Sequence, residues 1–191
     1  MGTIVVTEFV SLDGVFEDPG GSESYEHSGW TFEYDRGEDG NQFKLDELME
    51  AEVQLLGRLT YEGFAAAWPS REGPFADKLN NDPKYVVSNT LENPEWNNTT
   101  VLSGDLAEEV GKLKEQFEGD ILVAGSAQLV QGLIANDLVD ELHLMVYPVV
   151  LGTGKRLFGV TSDKKRLHLS DSRLVGDGVA IQIYTANGAV A

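Results

Sequence analysis

The chain has 191 residues, a formal net charge of −18 and no cysteine. This length is typical of one folded domain, which we expect over residues 1–191, and a hydrophobic share of 41% is too high for a disordered chain. The acidic excess argues against partners such as nucleic acids and anionic membranes, which need clustered Lys and Arg, while the lack of cysteine excludes disulfides and thiolate metal sites.

The N-terminal residues predict a first strand. Residues 3–11 alternate and are rich in β-branched side chains, as in a half-buried strand. No basic region precedes a long apolar run, so we expect no signal peptide, and no stretch approaches the roughly 18 apolar residues that span a bilayer. We therefore expect a cytoplasmic protein.

Residues 13–40, here called the acidic segment, read as a long loop with a turn at residues 19–21. Residues 1–43 hold ten acidic side chains and one basic one, so half of the net negative charge lies in less than a quarter of the chain. The segment also contains four aromatic residues, Tyr25, Trp30, Phe32 and Tyr34. Two interpretations stay open: a flap over a site, with Trp30 against the substrate, or a surface insertion held by its aromatic side chains.

Helices and strands alternate through the middle of the chain. The patterns predict, in order, a short helix over 43–49, a strand over 53–56, helices over 59–67 and 75–79, strands over 84–87 and 100–102, a helix opened by Asp105, a strand over 121–124 and a helix over 129–134. The strand at 121–124 is continuously apolar, which is typical of a strand covered on both faces.

Strands close the chain. Residues 141–150 predict one strand, and residues 166–175 and 179–185 predict two more joined by Gly176-Asp177-Gly178, a strong hairpin signal. The class is therefore α/β, with a mixed, mostly parallel central sheet, helices on both faces and a C-terminal β-hairpin.

Three strand-to-loop junctions carry the most chemistry. They are Gly57-Arg58-Leu59-Thr60, Ser88-Asn89-Thr90 and Gly125-Ser126-Ala127. Glycine lets a ligand approach the backbone, helix N-termini offer free N–H groups, and Arg matches phosphate oxygens. Each junction alone is more often a plain helix cap. Together they predict one crevice for a phosphate-rich ligand, because ligands bind beyond the carboxyl ends of parallel strands.

The ordered motifs resemble the dihydrofolate-reductase fold, and within it the reductase domain of the bacterial riboflavin-biosynthesis deaminase–reductase and its stand-alone relatives. The residues that carry the resemblance are Ser11-Leu12-Asp13-Gly14, Gly57-Arg58-x-Thr60-Tyr61-Glu62, Ser88-x-Thr90, Gly125-Ser126-x-x-Leu129, Asp140-Glu141-Leu142 and Tyr147-Pro148-Val149-Val150-Leu151-Gly152. The chain has no cytidine-deaminase-like zinc motif, so only the reductase half is similar.

The resemblance implies NADPH as cofactor, a small-molecule substrate and a homodimer. Arg58 and Ser88 would meet the adenosine 2′-phosphate, with Asn89 and Thr90 nearby. The pyrophosphate would lie at the Gly57 to Thr60 junction and at Gly125, Ser126 and Ala127, and the nicotinamide near Asp13 and Gly14. The implied activity is NADPH-dependent reduction of a small heterocyclic or imine-like substrate. The alternative is a non-catalytic nucleotide-binding or regulatory protein on the same fold.

The substrate end is less clearly marked. Asp13 is the candidate for orienting the substrate or delivering a proton, and its alternative is a turn-forming Asp-Gly. Gly14, Trp30, Lys155 and Arg156 are candidate substrate contacts, and the two basic residues can equally form a turn between strands. His143 and His168 are interpreted as packing residues in strands, and no metal site is expected. Since the acidic excess lies at this end, we expect a substrate less anionic than a sugar phosphate.

Overall fold

The computed structural model describes residues 1–159 and 164–186. The strands of this part are β1 (Thr3–Ser11), β2 (Ala51–Gly57), β3 (Lys84–Val87), β4 (Thr99–Leu102), β5 (Asp120–Val123), β6 (Glu141–Tyr147), β7 (Leu167–Val175) and β8 (Val179–Ala186). The helices are α1 (Gly37–Glu50), α2 (Arg58–Ala67), α3 (Pro74–Asn81), α4 (Leu106–Gln116) and α5 (Ala127–Ala135), with a 3-10 turn at Trp30–Glu33.

All eight strands belong to one sheet, in the order β4-β3-β2-β5-β1-β6-β8-β7. The strands from β4 to β6 in that order are parallel, and β8 pairs antiparallel with β6 and with β7. This confirms the mixed, mostly parallel sheet and the C-terminal hairpin.

Helices cover both faces of the sheet. Successive residues of a strand point to opposite faces, so one strand contributes side chains to both cores. Ile4, Val6 and Val10 of β1 pack with α4 and α5 in one core, whereas Val5 packs with α1, α2 and α3 in the other. None of the helices in the described ranges is long and apolar enough to cross a bilayer.

The largest differences from the predicted boundaries are at the start of α1 and the end of β6. Helix α1 begins at Gly37, inside the segment that was predicted to be a loop. The prediction missed this start because the first turns of the helix are polar and its buried face includes a charged residue, Glu47. An apolar periodicity cannot reveal such a helix. Strand β6 ends at Tyr147 rather than at residue 150, since Pro148 has no N–H to donate to a sheet.

The acidic segment is anchored by the Trp30 side chain, which is 2% exposed. Its Nε1 donates a hydrogen bond to the Glu17 carbonyl at 2.9 Å, and its ring meets that of Tyr147 edge-on at 5.3 Å between centroids. The Thr31 hydroxyl donates to the Pro19 carbonyl at 2.7 Å. These contacts join residues 17–19 of the segment to residues 30–31, and the Trp30 ring holds this part against β6.

Candidate active site

A cavity of about 1340 Å³ follows the carboxyl edge of the sheet. Since pockets for one small ligand are typically about 300–1,000 Å³, it has room for a larger ligand or for two. All the residues predicted to hold the cofactor line it: Gly57, Arg58, Thr60, Ser88, Asn89, Thr90, Gly125, Ser126 and Ala127. The order of β3, β2 and β5 in the sheet brings the three junctions together.

Two of these junctions touch through glycine. The Gly57 N–H donates to the Gly125 carbonyl at 3.1 Å. A Cβ atom on Gly57 would overlap the Ser126 hydroxyl and lie 2.9 Å from the Ser126 backbone nitrogen. Neither α2 nor α5, which begin here, has a side-chain cap on its N-terminus, so their first N–H groups are available to an anion.

We expect Gly57→Ala to lower the free energy of unfolding by about 2 kcal/mol, because the new methyl group must push the two junctions apart. Gly111→Ala is the matched control, since a Cβ on Gly111, within α4, would meet nothing within 4 Å. That variant should be stabilised by up to about 1 kcal/mol. Urea denaturation, followed by tryptophan fluorescence, measures the free energy of unfolding of both variants. Equal stability of the two variants would show that the glycine contact is not needed.

Arg58 and the loop after β3 form the far end of the cavity. Arg58 Nη1 lies 3.0 Å from Glu62 Oε1, and both side chains are 45% exposed, so the pair is easily broken. The Ser88 hydroxyl oxygen accepts the N–H groups of Thr90 and Leu91 at 3.1 and 2.9 Å. Its own hydrogen is left to donate to another group.

Asp13 does not line the cavity. Its carboxylate accepts hydrogen bonds from the Ser11 hydroxyl at 2.7 Å and from the Leu151 and Gly152 N–H groups at 3.1 and 2.9 Å. The hydrogen bond from Ser11, with those from the two backbone groups, lowers the pKa of Asp13 to about 2. This arrangement favours the turn-forming interpretation of Asp13.

Of the four predicted substrate contacts, Lys155 alone lines the cavity. Its Nζ lies 2.8 Å from Glu17 and 3.4 Å from Glu23, so the acidic segment neutralises it. Arg156 donates to the Asp13 and Gly152 carbonyls instead. Gly14 and the buried Trp30 are also absent from the cavity wall. The acidic segment itself lines the cavity with Phe16, Glu17, Asp18, Pro19, Gly20, Ser22, Glu23, Thr31, Phe32, Tyr34, Asp35 and Arg36.

Sequence reasoning missed Glu8, a carboxyl group inside β1 that lines the cavity. Glu8 is 8% exposed and its Oε1 has no hydrogen-bond partner. Burial raises the pKa of Glu8 to about 8, although the charge of Lys44 and the Gly125 backbone act in the opposite direction. The alternation of β1 could have indicated that Glu8 is buried, because position 8 lies on the same face of the strand as the buried Ile4 and Val6.

A second polar cluster lies on the opposite face of β1. Lys44 Nζ contacts Glu47 Oε2 at 2.6 Å and the Thr7 hydroxyl at 2.5 Å. Glu47 also contacts His143 Nδ1 at 2.7 Å, and His143 Nε2 lies 3.0 Å from Glu141. His143 is therefore part of a charged network, not the packing residue that its strand pattern predicted.

The pKa values in this network follow its charges. Burial by itself would lower the pKa of His143, but the hydrogen bonds and charges of Glu47 and Glu141 outweigh it and raise that pKa. Burial would likewise raise the pKa of Glu47, but Lys44 and His143 lower it. Within residues 1–159 and 164–186, no three His, Asp or Glu side chains converge as metal ligands would.

Comparison with known proteins gives a sequence relative of this chain and two structures of similar fold. The chain is 30% identical over 190 residues to the uncharacterized protein YyaP of Bacillus subtilis strain 168, covering 97% of this chain and 95% of YyaP. The structure resembles that of a protein assigned to riboflavin biosynthesis in Shewanella sp. PV-4, with a TM-score of 0.79 at 20% identity and coverage of 97% and 99%. It also resembles Enterococcus faecalis dihydrofolate reductase in complex with NADP(H) and RAB-propyl, with a TM-score of 0.64 at 16% identity and coverage of 98% of each chain.

These structural likenesses confirm the predicted dihydrofolate-reductase-like fold. Family membership follows from the sequence, because residues 2–181 match the model of the RibD C-terminal domain. The matched range includes the three junctions that line the cavity. The chain therefore belongs to the RibD C-terminal domain family.

Proposed function

We propose that this protein is an NADPH-dependent reductase of a small heterocyclic or imine-like substrate. The observation that carries the proposal is the meeting of three glycine- and hydroxyl-bearing junctions, with two uncapped helix N-termini, in one cavity. Membership of a reductase-domain family and the likeness to a dihydrofolate reductase fold support it.

The residues at the carboxyl edge fit a phosphorylated dinucleotide. A Cβ atom on Gly57 or Gly125 would fill the space between the junctions, so these glycines leave a cradle in which phosphate oxygens can reach backbone N–H groups. Thr60 and Ser126 add hydroxyl groups beside it. Arg58 and Ser88 would take the 2′-phosphate, with Asn89 and Thr90 next to them. When bound, NADPH would supply a hydride to the substrate.

The other end of the cavity suits a flat, uncharged substrate. Phe9, Phe16 and Tyr147 contribute aromatic surface, and the Phe9 and Tyr147 rings meet edge-on at 5.9 Å between centroids. Lys155 is held by two carboxylates, so it presents little net positive charge to a phosphate. We therefore propose a heterocycle or imine without a phosphate group, enclosed by the acidic segment. Asp13 would act as a positioning residue that fixes the loop at Leu151 and Gly152.

Arg58→Ala should weaken NADPH binding by about tenfold to a hundredfold while leaving NADH binding nearly unchanged, because the lost hydrogen bonds go to the 2′-phosphate. Trp68 lines the cavity, so quenching of tryptophan fluorescence can follow the titration. Glu62→Gln is the paired control, since it removes the carboxylate that now holds Arg58 and should not weaken NADPH. Equal loss for both dinucleotides, or no saturable binding of either, would contradict the assignment.

Turnover separates an enzyme from a non-catalytic nucleotide-binding protein. NADPH consumption should be measured with a panel of pyrimidines, pterins and flavin precursors. The homodimer and the cytoplasmic location stay predictions. The outer strand β7 exposes Leu167, Leu169 and Leu174, and this apolar row would support self-association.

A further inference from the structure

Strand β1 has an open edge in the middle of the cavity. Its pairing with β5 ends where Val6 meets Val123, whereas its pairing with β6 continues from Val5 to Ser11. Among the described strands, Thr7 to Ser11 therefore pair with β6 alone. The gap between β1 and β5 opens at Glu8, on the edge where ligands of parallel sheets bind.

The Glu8 side chain lines the cavity, and its Oε1 has no hydrogen-bond partner. A Cβ atom on Gly125 would lie 3.8 Å from Glu8 Oε1 and 2.8 Å from Thr60 Oγ1, so the carboxyl group lies close to the Gly125 turn. A buried polar atom without a partner in a ligand cavity is a vacant hydrogen-bonding position.

The order of the strands gives the order of the ligand groups. Along the cavity, Ser88 follows β3, Arg58 and Thr60 follow β2, Gly125 follows β5, and Glu8 lies on β1. A dinucleotide whose 2′-phosphate lies at Ser88 and whose pyrophosphate lies between Thr60 and Gly125 would bring its nicotinamide end to Glu8. A neutral carboxylic acid has a donor and an acceptor side by side, and a primary carboxamide offers the complementary acceptor and donor.

We propose that Glu8 binds the nicotinamide carboxamide as a neutral carboxylic acid, through a pair of hydrogen bonds. This inference rests on the proposed NADPH binding and adds to it a residue that contacts the nicotinamide end. The raised pKa of Glu8 is consistent with a neutral group at pH 7. The charged groups that bear on Glu8 are Lys44 of α1 and, behind it, Glu47 and His143, while the Gly125 turn and Thr60 are uncharged.

The test compares NADPH with 2′-phospho-ADP-ribose, which lacks only the nicotinamide, at pH 7.0 and 9.5. Loss of the Glu8 proton over this range should weaken NADPH by about thirtyfold for a pKa near 8, and 2′-phospho-ADP-ribose by less than about threefold. Glu8→Gln should remove this pH dependence, because the amide can still pair with a carboxamide but does not titrate. Glu115→Gln, on the exposed side of α4, should behave as the unmodified protein does.

Each outcome decides the inference. Equal weakening of both ligands, or pH dependence that persists in Glu8→Gln, overturns the carboxamide contact and leaves the proposed function standing. No saturable NADPH binding at pH 7.0 overturns the proposed function and this inference with it. If Glu8→Gln does not fold, the two ligands with the unmodified protein still decide. A 13C NMR titration of the Glu8 carboxyl near its ordinary value of 4.5 would also overturn the inference.

Discussion

Replacing Glu47 by Gln should lower the free energy of unfolding by about 3 kcal/mol, because the buried Lys44 charge then loses the carboxylate that pairs with it. The Lys44 side chain is 12% exposed and that of Glu47 only 4%. Removing one member of a buried pair costs far more than removing one from an exposed pair, where solvent replaces the lost contact. Urea denaturation followed by tryptophan fluorescence measures the loss.

The matched control is Glu109→Ala. Glu109 pairs with Lys112 at 2.6 Å, and the two residues are three positions apart on a helix, as Lys44 and Glu47 are. The Lys112 side chain, however, is 61% exposed. Its denaturation midpoint should stay within experimental error of the unmodified protein. If Glu47→Gln were equally silent, the network around Lys44 would contribute nothing to stability.

The effect of Glu47→Gln should also depend on pH. The pKa of His143 is raised above 6.5, so stabilisation by the charged imidazole is complete below pH 6.5 and is lost as the pH rises through the raised value. The pKa of Glu47 is lowered below 4.5, so its stabilisation is present above pH 4.5 and is lost as the pH falls through the lowered value. The difference from the unmodified protein should therefore be largest between pH 4.5 and 6.5. At higher pH the imidazole charge no longer contributes, whereas the ion pair with Lys44 remains.

Lys84→Met should also lower the free energy of unfolding by about 3 kcal/mol, since it leaves one buried and two partly buried carbonyl groups without their donor. Lys84 is fully buried at the start of β3. Its Nζ donates to the carbonyls of Asp82, Asn97 and Asn80 at 2.7, 3.0 and 3.2 Å, and lies 4.5 Å from the centre of the Trp96 ring. Methionine keeps an unbranched stem as far as Cε and lacks only the ammonium group, so the loss mainly reports the hydrogen bonds of that group.

The exposed Lys112→Met is the control for this variant and should leave the midpoint unchanged. Because Lys84 holds the ends of two loops beside β3, Lys84→Met should also raise the hydrogen-exchange rates of nearby backbone amides, such as those of Val86 and Trp96. Unchanged exchange with unchanged stability would show that water replaces the ammonium group at no cost.

The sequence by itself determined the order of the elements and the three junctions that line the cavity. Apolar runs such as that at 121–124, with glycine and hydroxyl residues directly after the strands, predicted the parallel sheet and its three junctions. The reason is local: parallel strands end at one edge, so residues at their carboxyl ends must meet there. The family resemblance followed from the same short motifs.

Only the tertiary structure decided what lies at the other end of the cavity. Asp13 directly follows β1, yet its carboxylate turns to Leu151 and Gly152, and a pattern of neighbouring residues cannot show such a partner. Glu8 and Lys44 reach the cavity because β5 stops at Val123 while β1 continues and α1 packs over it. Relative strand lengths and register depend on packing between distant segments, so which carboxyl group becomes buried and which is neutralised appears only in the folded chain.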